Sequence, residues 1–361
     1  MRITDITRRR LVSQQIANPR LTTPGELVRW MGAVQAQDPL GSRWALGLRL
    51  RSALESDVEE AVAARTIVRT WPMRGTLHYV PAADVRWMLR LLTPRVIARS
   101  AGRYRELELD AATLRRAAKV LARALKGRPL TRGEAYAALE GGGVSPAGQR
   151  GIHILGHLAQ QGLLCCGPRK GKQPTFVLLD EWLPPSRDLS REEALATLAE
   201  RYFASHGPAT VHDFAWWTGL LRKDAQAAIE AAGSKVVSEP HEGRLLFSSA
   251  SALSSRGSRR HSAALLPAWD EYVVAYKDRG AALDPPARRQ DAVYAVGLSL
   301  VTIDGRVRGS WRRSLASSTV RVSVAFWNPV TRDERRAVEA AAERYGRFLG
   351  MGVEIVSDLR H

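Results

Sequence analysis

Leu130-Thr131-Arg132-Gly133-Glu134 opens the stretch whose order decides the fold: LTRGEAYAALE at 130–140, SPAGQRGIHILGHLAQQG at 145–162 and LLCCGPRKGKQPTFVLL at 163–179. Thr131 can cap a helix, so the first piece reads as one. Ser145-Pro146 starts a second helix, with Pro where its missing N–H is tolerated. The third piece reads as two strands around a basic turn at Arg169, Lys170 and Lys172. Helices followed by a β-hairpin make a winged-helix unit, in which one helix normally lies in a DNA groove and the hairpin touches an adjacent groove or the backbone.

The same grammar recurs on either side. Upstream, Thr22-Thr23-Pro24-Gly25-Glu26 precedes LVRWMGAVQ, where Leu27, Val28, Trp30, Met31 and Val34 cluster at helical spacing, and the strands of IVRTWPMRGTLHYV follow. Downstream, Ala209-Thr210-Val211-His212-Asp213 opens FAWWTGL, then come LRKDAQAAIEAA and the two strands of KVVSEPHEGRLLF. These repeats predict winged-helix units over residues 1–81, 127–185 and 186–250, with two connecting helices over 82–126.

Beyond residue 250 the pattern changes to strand. VYAVGLSLVTIDGRVRGSW breaks at Asp304-Gly305, a strong two-residue hairpin signal, and VRVSVAFW continues the alternation. A helix, TRDERRAVEAAAERYGRFL, and a last strand, VEIV, complete residues 251–361 as a small β-barrel or curled sheet closed by one helix. The fold class is therefore α+β, with three tandem winged-helix domains plus a C-terminal β-barrel. The Ser- and Arg-rich stretch at 248–262 reads as a solvated linker or mobile loop.

With 361 residues, 45% hydrophobic and 25% charged, the chain is long enough for several packed domains. Its formal net charge of +18 rests on 54 Lys and Arg against 36 Asp and Glu, which makes nucleic acid the expected partner. A genome rich in G and C explains Arg in place of Lys but not an excess of base over acid. No apolar run has the length of a membrane helix, and MRITDITRRR lacks the apolar core of a signal peptide. A cytoplasmic, nucleoid-associated monomer is expected. Cys165 and Cys166 are neighbours and so read as reduced, partly buried thiols rather than a disulfide. His153 and His157 share a helix face at zinc-ligand spacing, yet packing explains them better; no metal and no cofactor is expected.

Gln35-Ala36-Gln37-Asp38 reads as the end of the first amphipathic helix. Two glutamines are poor general bases, so as catalytic groups they suit a reaction whose leaving group is already cationic, such as loss of an alkylated purine from deoxyribose. One amide would hold water by its carbonyl oxygen while the other fixes the sugar or adjacent phosphate. The same residues also read as helix caps or partners of nearby backbone, and Asp38 reads as a cap. Arg74, Thr76 and His78 alternate in RGTLH and would share a strand face able to touch DNA, although His78 reads equally as a satisfied core histidine. Arg306, Arg308, Arg312 and Arg313 flank the hairpin and are candidate DNA contacts. Asp270, with Glu271, is a possible accessory carboxylate, or else an anchor where the β-rich part begins.

VQAQDP at 34–39, WPMRGTLHYV at 71–80, LLPAWDEYVVAYKDR at 265–279 and DGRVRGSWRR at 304–313 resemble the AlkZ- and YcaQ-type bacterial DNA glycosylases. The resemblance spans most of the chain. It implies three winged-helix units and a barrel arranged as a C-shaped basic channel around double-stranded DNA. It also implies catalytic roles for Gln35 and Gln37. The YcaQ branch carries aspartate at the last position of the motif, so Gln37 is similar to the AlkZ branch. Members of that branch excise N-alkylated purines and, in some cases, bulky adducts or crosslinks, leaving an abasic site. The competing readings are a non-catalytic winged-helix transcription regulator, which would select a half-site, and a nucleic-acid-binding partner that has lost activity.

Overall fold

In the computed structural model, residues 3–251, 261–283 and 297–359 are described. The chain divides into two compact units, Met1–Val58 with Leu195–His361, and Glu59–Ala194. Residues 252–260 of the Ser- and Arg-rich stretch, and residues 293–296 before the Asp304-Gly305 hairpin, lie outside the described residues.

The first unit starts with α1 (Ile3–Ser13), α2 (Pro24–Met31), β1 (Val34–Gln35) and α3 (Pro39–Gly47), and α4 (Glu55–Ala63) leads into the second. The capping box at α2 is present: the Thr23 hydroxyl accepts the Glu26 N–H, and the Glu26 carboxylate accepts the Thr23 N–H at 3.1 Å. Leu27, Val28 and Met31 are its buried stripe. The helix stops four residues before Gln35 because Gly32, at φ 77°, turns the chain out of helical geometry. The glutamines therefore sit in a short extended link between two helices and not at the end of one, which corrects the expectation from the LVRWMGAVQ periodicity. Asp38 does cap α3, its Oδ1 accepting the Leu40 N–H at 3.2 Å.

The second unit carries β2 (Ile67–Met73), β3 (Thr76–Pro81), α5 (Val85–Arg99), α6 (Ala101–Glu106), α7 (Ala111–Leu125), β4 (Leu130–Thr131), α8 (Arg132–Gly141), α9 (Arg150–Gln160), β5 (Leu164–Lys170), β6 (Gln173–Leu178) and α10 (Leu179–Trp182). Its strands lie in the order β3-β2-β5-β6-β4. Three helices stand where two connecting helices were expected, because Ser100 caps the C-terminus of α5 and the short α6 follows it before Asp110 caps α7, accepting the Thr113 N–H at 2.7 Å. The Thr131–Glu134 capping box opens α8. Trp71, Leu121, Ile154, Leu158 and Phe176 form one buried cluster with Cys166. Both cysteines are free and buried, and burial pushes both thiols up, so they stay protonated and inert.

Through α11 (Arg191–His206) the chain returns to the first unit, with α12 (Val211–Thr218), α13 (Arg222–Ala232), β7 (Val236–His241), β8 (Arg244–Ser249), β9 (Ala263–Leu266), α14 (Glu271–Val274), β10 (Leu300–Ile303), β11 (Arg306–Leu315), β12 (Thr319–Phe326), α15 (Arg332–Leu349) and β13 (Gly352–Leu359). A third capping box, Thr210 with Asp213, opens α12. The β10–β11 turn has Asp304 at φ 52° and Gly305 at φ 78°, as a two-residue primed turn requires. The strand order β13-β12-β11-β10-β9 is antiparallel except for the β12–β13 pair. Among the described residues its edge strands β13 and β9 do not pair, so the expected barrel is a curled half-barrel. Side chains fill its interior in place of closing strands: Tyr345 of α15 meets Trp44 of α3 edge-on at 5.0 Å and Trp311 of β11 at 5.1 Å. The indoles of Trp44 and Trp311 donate to the Leu265 and Leu266 carbonyls at 2.7 and 2.8 Å.

Among the described residues, no helix is long and apolar enough to cross a membrane.

Candidate active site

The link between α2 and α3 presents its two amides unequally. Gln35 is 8% exposed, whereas Gln37 is exposed. The main chain here is anchored from several directions within the first unit. Upstream, the Gln35 N–H donates to Glu271 Oε1 at 2.7 Å. Downstream, Asp38 Oδ2 accepts from Arg313 Nη2 at 2.9 Å while its other oxygen caps α3. Beyond that, Trp44 docks α3 onto the half-barrel, and Arg43 Nε donates to Glu55 Oε1 at 2.6 Å.

Beneath the link lies a buried polar network. Arg49 grips Asp270 bidentately, at 2.7 and 2.8 Å, and also donates to Gln14 Oε1 at 2.7 Å and to the Ala45 carbonyl at 2.9 Å. Asp270 in turn caps α14, accepting the Tyr272 N–H at 2.9 Å. Both charged groups are within 1% of complete burial, and the four bonds made by the two terminal nitrogens of Arg49 offset the cost of burying the pair, although its Nε has no partner among the described residues. Its neighbour Glu271 is also completely buried, accepting from Gln35 and, at 2.9 Å, from the Trp217 indole. His206 Nε2 lies 3.6 Å from the same carboxylate. Burial pushes the His206 imidazole down, against the opposing pull of Glu271. Tyr202 stacks on that ring at 4.8 Å, and the Tyr276 hydroxyl donates to the His206 carbonyl at 2.7 Å.

The four hairpin arginines divide. Arg312 is exposed on the outer face of β11. Arg306 and Arg308 are half-buried, and Arg308 donates to Glu334 Oε1 at 3.4 Å and to the Pro329 carbonyl at 3.1 Å. Arg313 lies on the opposite face, that of Trp311, and reaches Asp38. Asp270 has the anchoring place described above.

Arg74, Thr76 and His78 belong to the second compact unit. They do not share one strand face: Arg74, at φ 54°, and Gly75, at φ 75°, form the turn between β2 and β3, so only Thr76 and His78 alternate in the strand. The arginine still folds back, its Nη2 lying 3.2 Å from His78 Nε2. His78 is fully buried, with Nδ1 2.9 Å from the Thr76 carbonyl, so it is hydrogen-bonded as a core histidine is. His157 is buried with Nδ1 3.2 Å from the Tyr104 hydroxyl, and His153 is half-buried. Among the described residues, no group of three or more His, Cys, Asp or Glu is placed to hold a metal ion.

Sequence reasoning passed over Arg49, His206 and Trp217. The signal for Arg49 was a charge inside the apolar run LGLRL, which demands a buried partner. The other two carry no local mark, since only the tertiary fold brings α11 and α12 to α14.

Residues 28–348 match the profile of the family described as DNA glycosylase AlkZ-like. A relative from Streptomyces sahachiroi, named Interstrand DNA cross-link repair glycosylase, is 26% identical over 328 residues, which cover 83% of this chain and 85% of the relative. The solved structure of the Streptomyces sahachiroi DNA glycosylase AlkZ is similar in fold, with a TM-score of 0.78 at 23% identity over 98% of this chain and 99% of that one.

Proposed function

Because the chain belongs to the AlkZ-like DNA glycosylase family and is an enzyme of that kind, we propose that it hydrolyses the N-glycosidic bond of cationic N-alkylpurines and bulky alkyl adducts in duplex DNA, crosslinks included, with Gln35 and Gln37 as its catalytic residues. The observation that carries this reading is the pair of amides on one short extended link, one buried and one exposed, at the position of the family motif. In the reaction, the C1′–N9 bond breaks and its electron pair neutralises the alkylated purine. Water oxygen bonds to C1′, and the water proton passes to solvent. No acid is needed for a leaving group that departs neutral. The amide carbonyls hold the water and face the cationic sugar with the negative ends of their dipoles, which need no reorganisation if they are already fixed.

The reading of three winged-helix units draws support from the three capping boxes at Thr23, Thr131 and Thr210, each followed by helices and a hairpin; a monomer working on cytoplasmic nucleoid DNA belongs to the same proposal. Exposed Arg312, Arg74 of the β2–β3 turn and Thr76 beside it are its candidate contacts with the duplex; His78, fully buried, is not among them. A panel of duplexes carrying one N7-methylguanine in different flanking sequences tests the function. Abasic product in every context, read by alkaline cleavage, is the expected outcome. Tight binding to one flanking sequence with no product from any duplex identifies a regulator instead.

A further inference from the structure

We infer that Glu271 is a positioning residue for the proposed glycosidic hydrolysis: its carboxylate fixes the main chain of Gln35 so that the glutamine amides are aimed before substrate arrives. This inference rests on the catalytic reading of Gln35. Glu271 is completely buried and lies 236 positions from Gln35 in sequence, yet Oε1 accepts the Gln35 N–H at 2.7 Å. Oε2 accepts the Trp217 indole N–H at 2.9 Å. A carboxylate is acceptor-only, so one group can satisfy two convergent N–H donors; a glutamine side chain there has only one acceptor atom. Charge-assisted bonds of this sort in a buried place hold their donor more tightly than a neutral partner does.

The carboxylate is itself held. Asp270, the preceding residue, is locked by Arg49 and caps the helix that Glu271 begins. Trp217 comes from α12 and is fully buried, and His206 from α11 closes the remaining side. The link carrying the glutamines is therefore referenced to three separate elements of the first unit through one side chain.

The test uses the full chain as wild type, Glu271→Ala, Glu271→Gln and the double variant Glu271→Gln with Trp217→Phe. Hydrogen exchange of peptides covering residues 33–37 is followed by mass spectrometry, and excision is measured under single turnover alongside duplex affinity. For Glu271→Ala, exchange at 33–37 speeds up by about tenfold or more, and excision slows about tenfold to a hundredfold with affinity unchanged, as loss of a hydrogen bond to a charged group implies. Glu271→Gln is intermediate because two donors compete for one acceptor. Removing the indole donor in the double variant frees the amide oxygen for Gln35 and recovers part of the rate; a merely structural residue gives no such recovery. If Glu271→Ala fails to fold, the two glutamine variants decide the matter.

Exchange at 33–37 unchanged in a folded variant overturns the inference. So does faster exchange spread evenly over the whole unit. A wild type that excises nothing defeats the proposed function, while the exchange experiment still decides whether Glu271 holds Gln35.

Discussion

Arg313 and Asp38 meet at 2.9 Å, although they lie 275 positions apart. The pair joins β11 of the half-barrel to the residue that follows Gln37, so an arginine expected on DNA instead stands within the protein, on the cap of α3. Arg312 beside it is exposed. The two therefore separate by experiment. Arg312→Ala should weaken duplex binding and reduce the slope of log affinity against log salt by about 0.9, the value for one phosphate contact. Arg313→Ala should leave the slope unchanged and slow excision by about tenfold through a loosened link. Binding titrations at several salt concentrations, with single-turnover rates, check both.

Asp270→Ala leaves Arg49 buried without its carboxylate and α14 without its cap. Breaking one side of a buried pair costs about 3–5 kcal/mol, so a large fall in denaturant midpoint is expected. Asp270→Asn keeps the cap and part of the Arg49 contact, and should excise at a rate close to wild type at temperatures where it is folded. A rate loss in folded Asp270→Asn would give Asp270 a direct part in the chemistry.

Acid should loosen the first unit. Burial lowers the His206 pKa, so the folded protein binds fewer protons there than the unfolded chain. Its contribution is fully present above the unfolded value of about 6.5 and is lost as pH falls through the lower folded value. Exposed His261 has the opposite sign: Asp304 Oδ2, 2.6 Å from its Nδ1, raises its pKa. That contribution is present below about 6.5 and is lost as pH rises through the raised value. Melting temperatures of His206→Gln and His261→Gln across this range should differ from wild type in opposite pH directions.

Gly305→Ala should destabilise the half-barrel. The residue sits at φ 78°, and an added Cβ would fall 2.5 Å from the Tyr272 hydroxyl and 2.7 Å from Thr7 Cβ. A left-handed conformation alone costs a non-glycine residue about 1–2 kcal/mol, and the contacts add to it. A melting temperature equal to wild type would show that the turn relaxes.

Much of this architecture was legible because it is written locally. Thr23, Thr131 and Thr210 each announced a helix cap, and Asp304-Gly305 announced a primed turn, since these devices need only a few consecutive residues. The errors came where one residue interrupts a period. Gly32 ends α2 before the glutamines, Ser100 separates α5 from α6, and Arg74 occupies a turn in place of a strand position. Of the two readings of the C-terminal part, a barrel or a curled sheet closed by one helix, the curled sheet is the one formed; strand pattern does not separate them, because it does not reveal that Trp44, from another part of the chain, packs against the helix and sheet. For the candidate site, the motif marked Gln35 and Gln37, and Asp38 read correctly as a cap. What holds them was invisible: the contacts from Glu271 and Arg313 span more than two hundred residues, and no periodicity encodes such a meeting.

The most direct test of the account is excision from a duplex carrying a single N7-methylguanine by wild type, Gln35→Ala and Gln37→Ala, with abasic sites read by alkaline cleavage. The account predicts product from the wild type and a sharp loss of rate in either variant, while duplex binding persists. Equal rates in all three proteins would contradict the catalytic role given to these two amides.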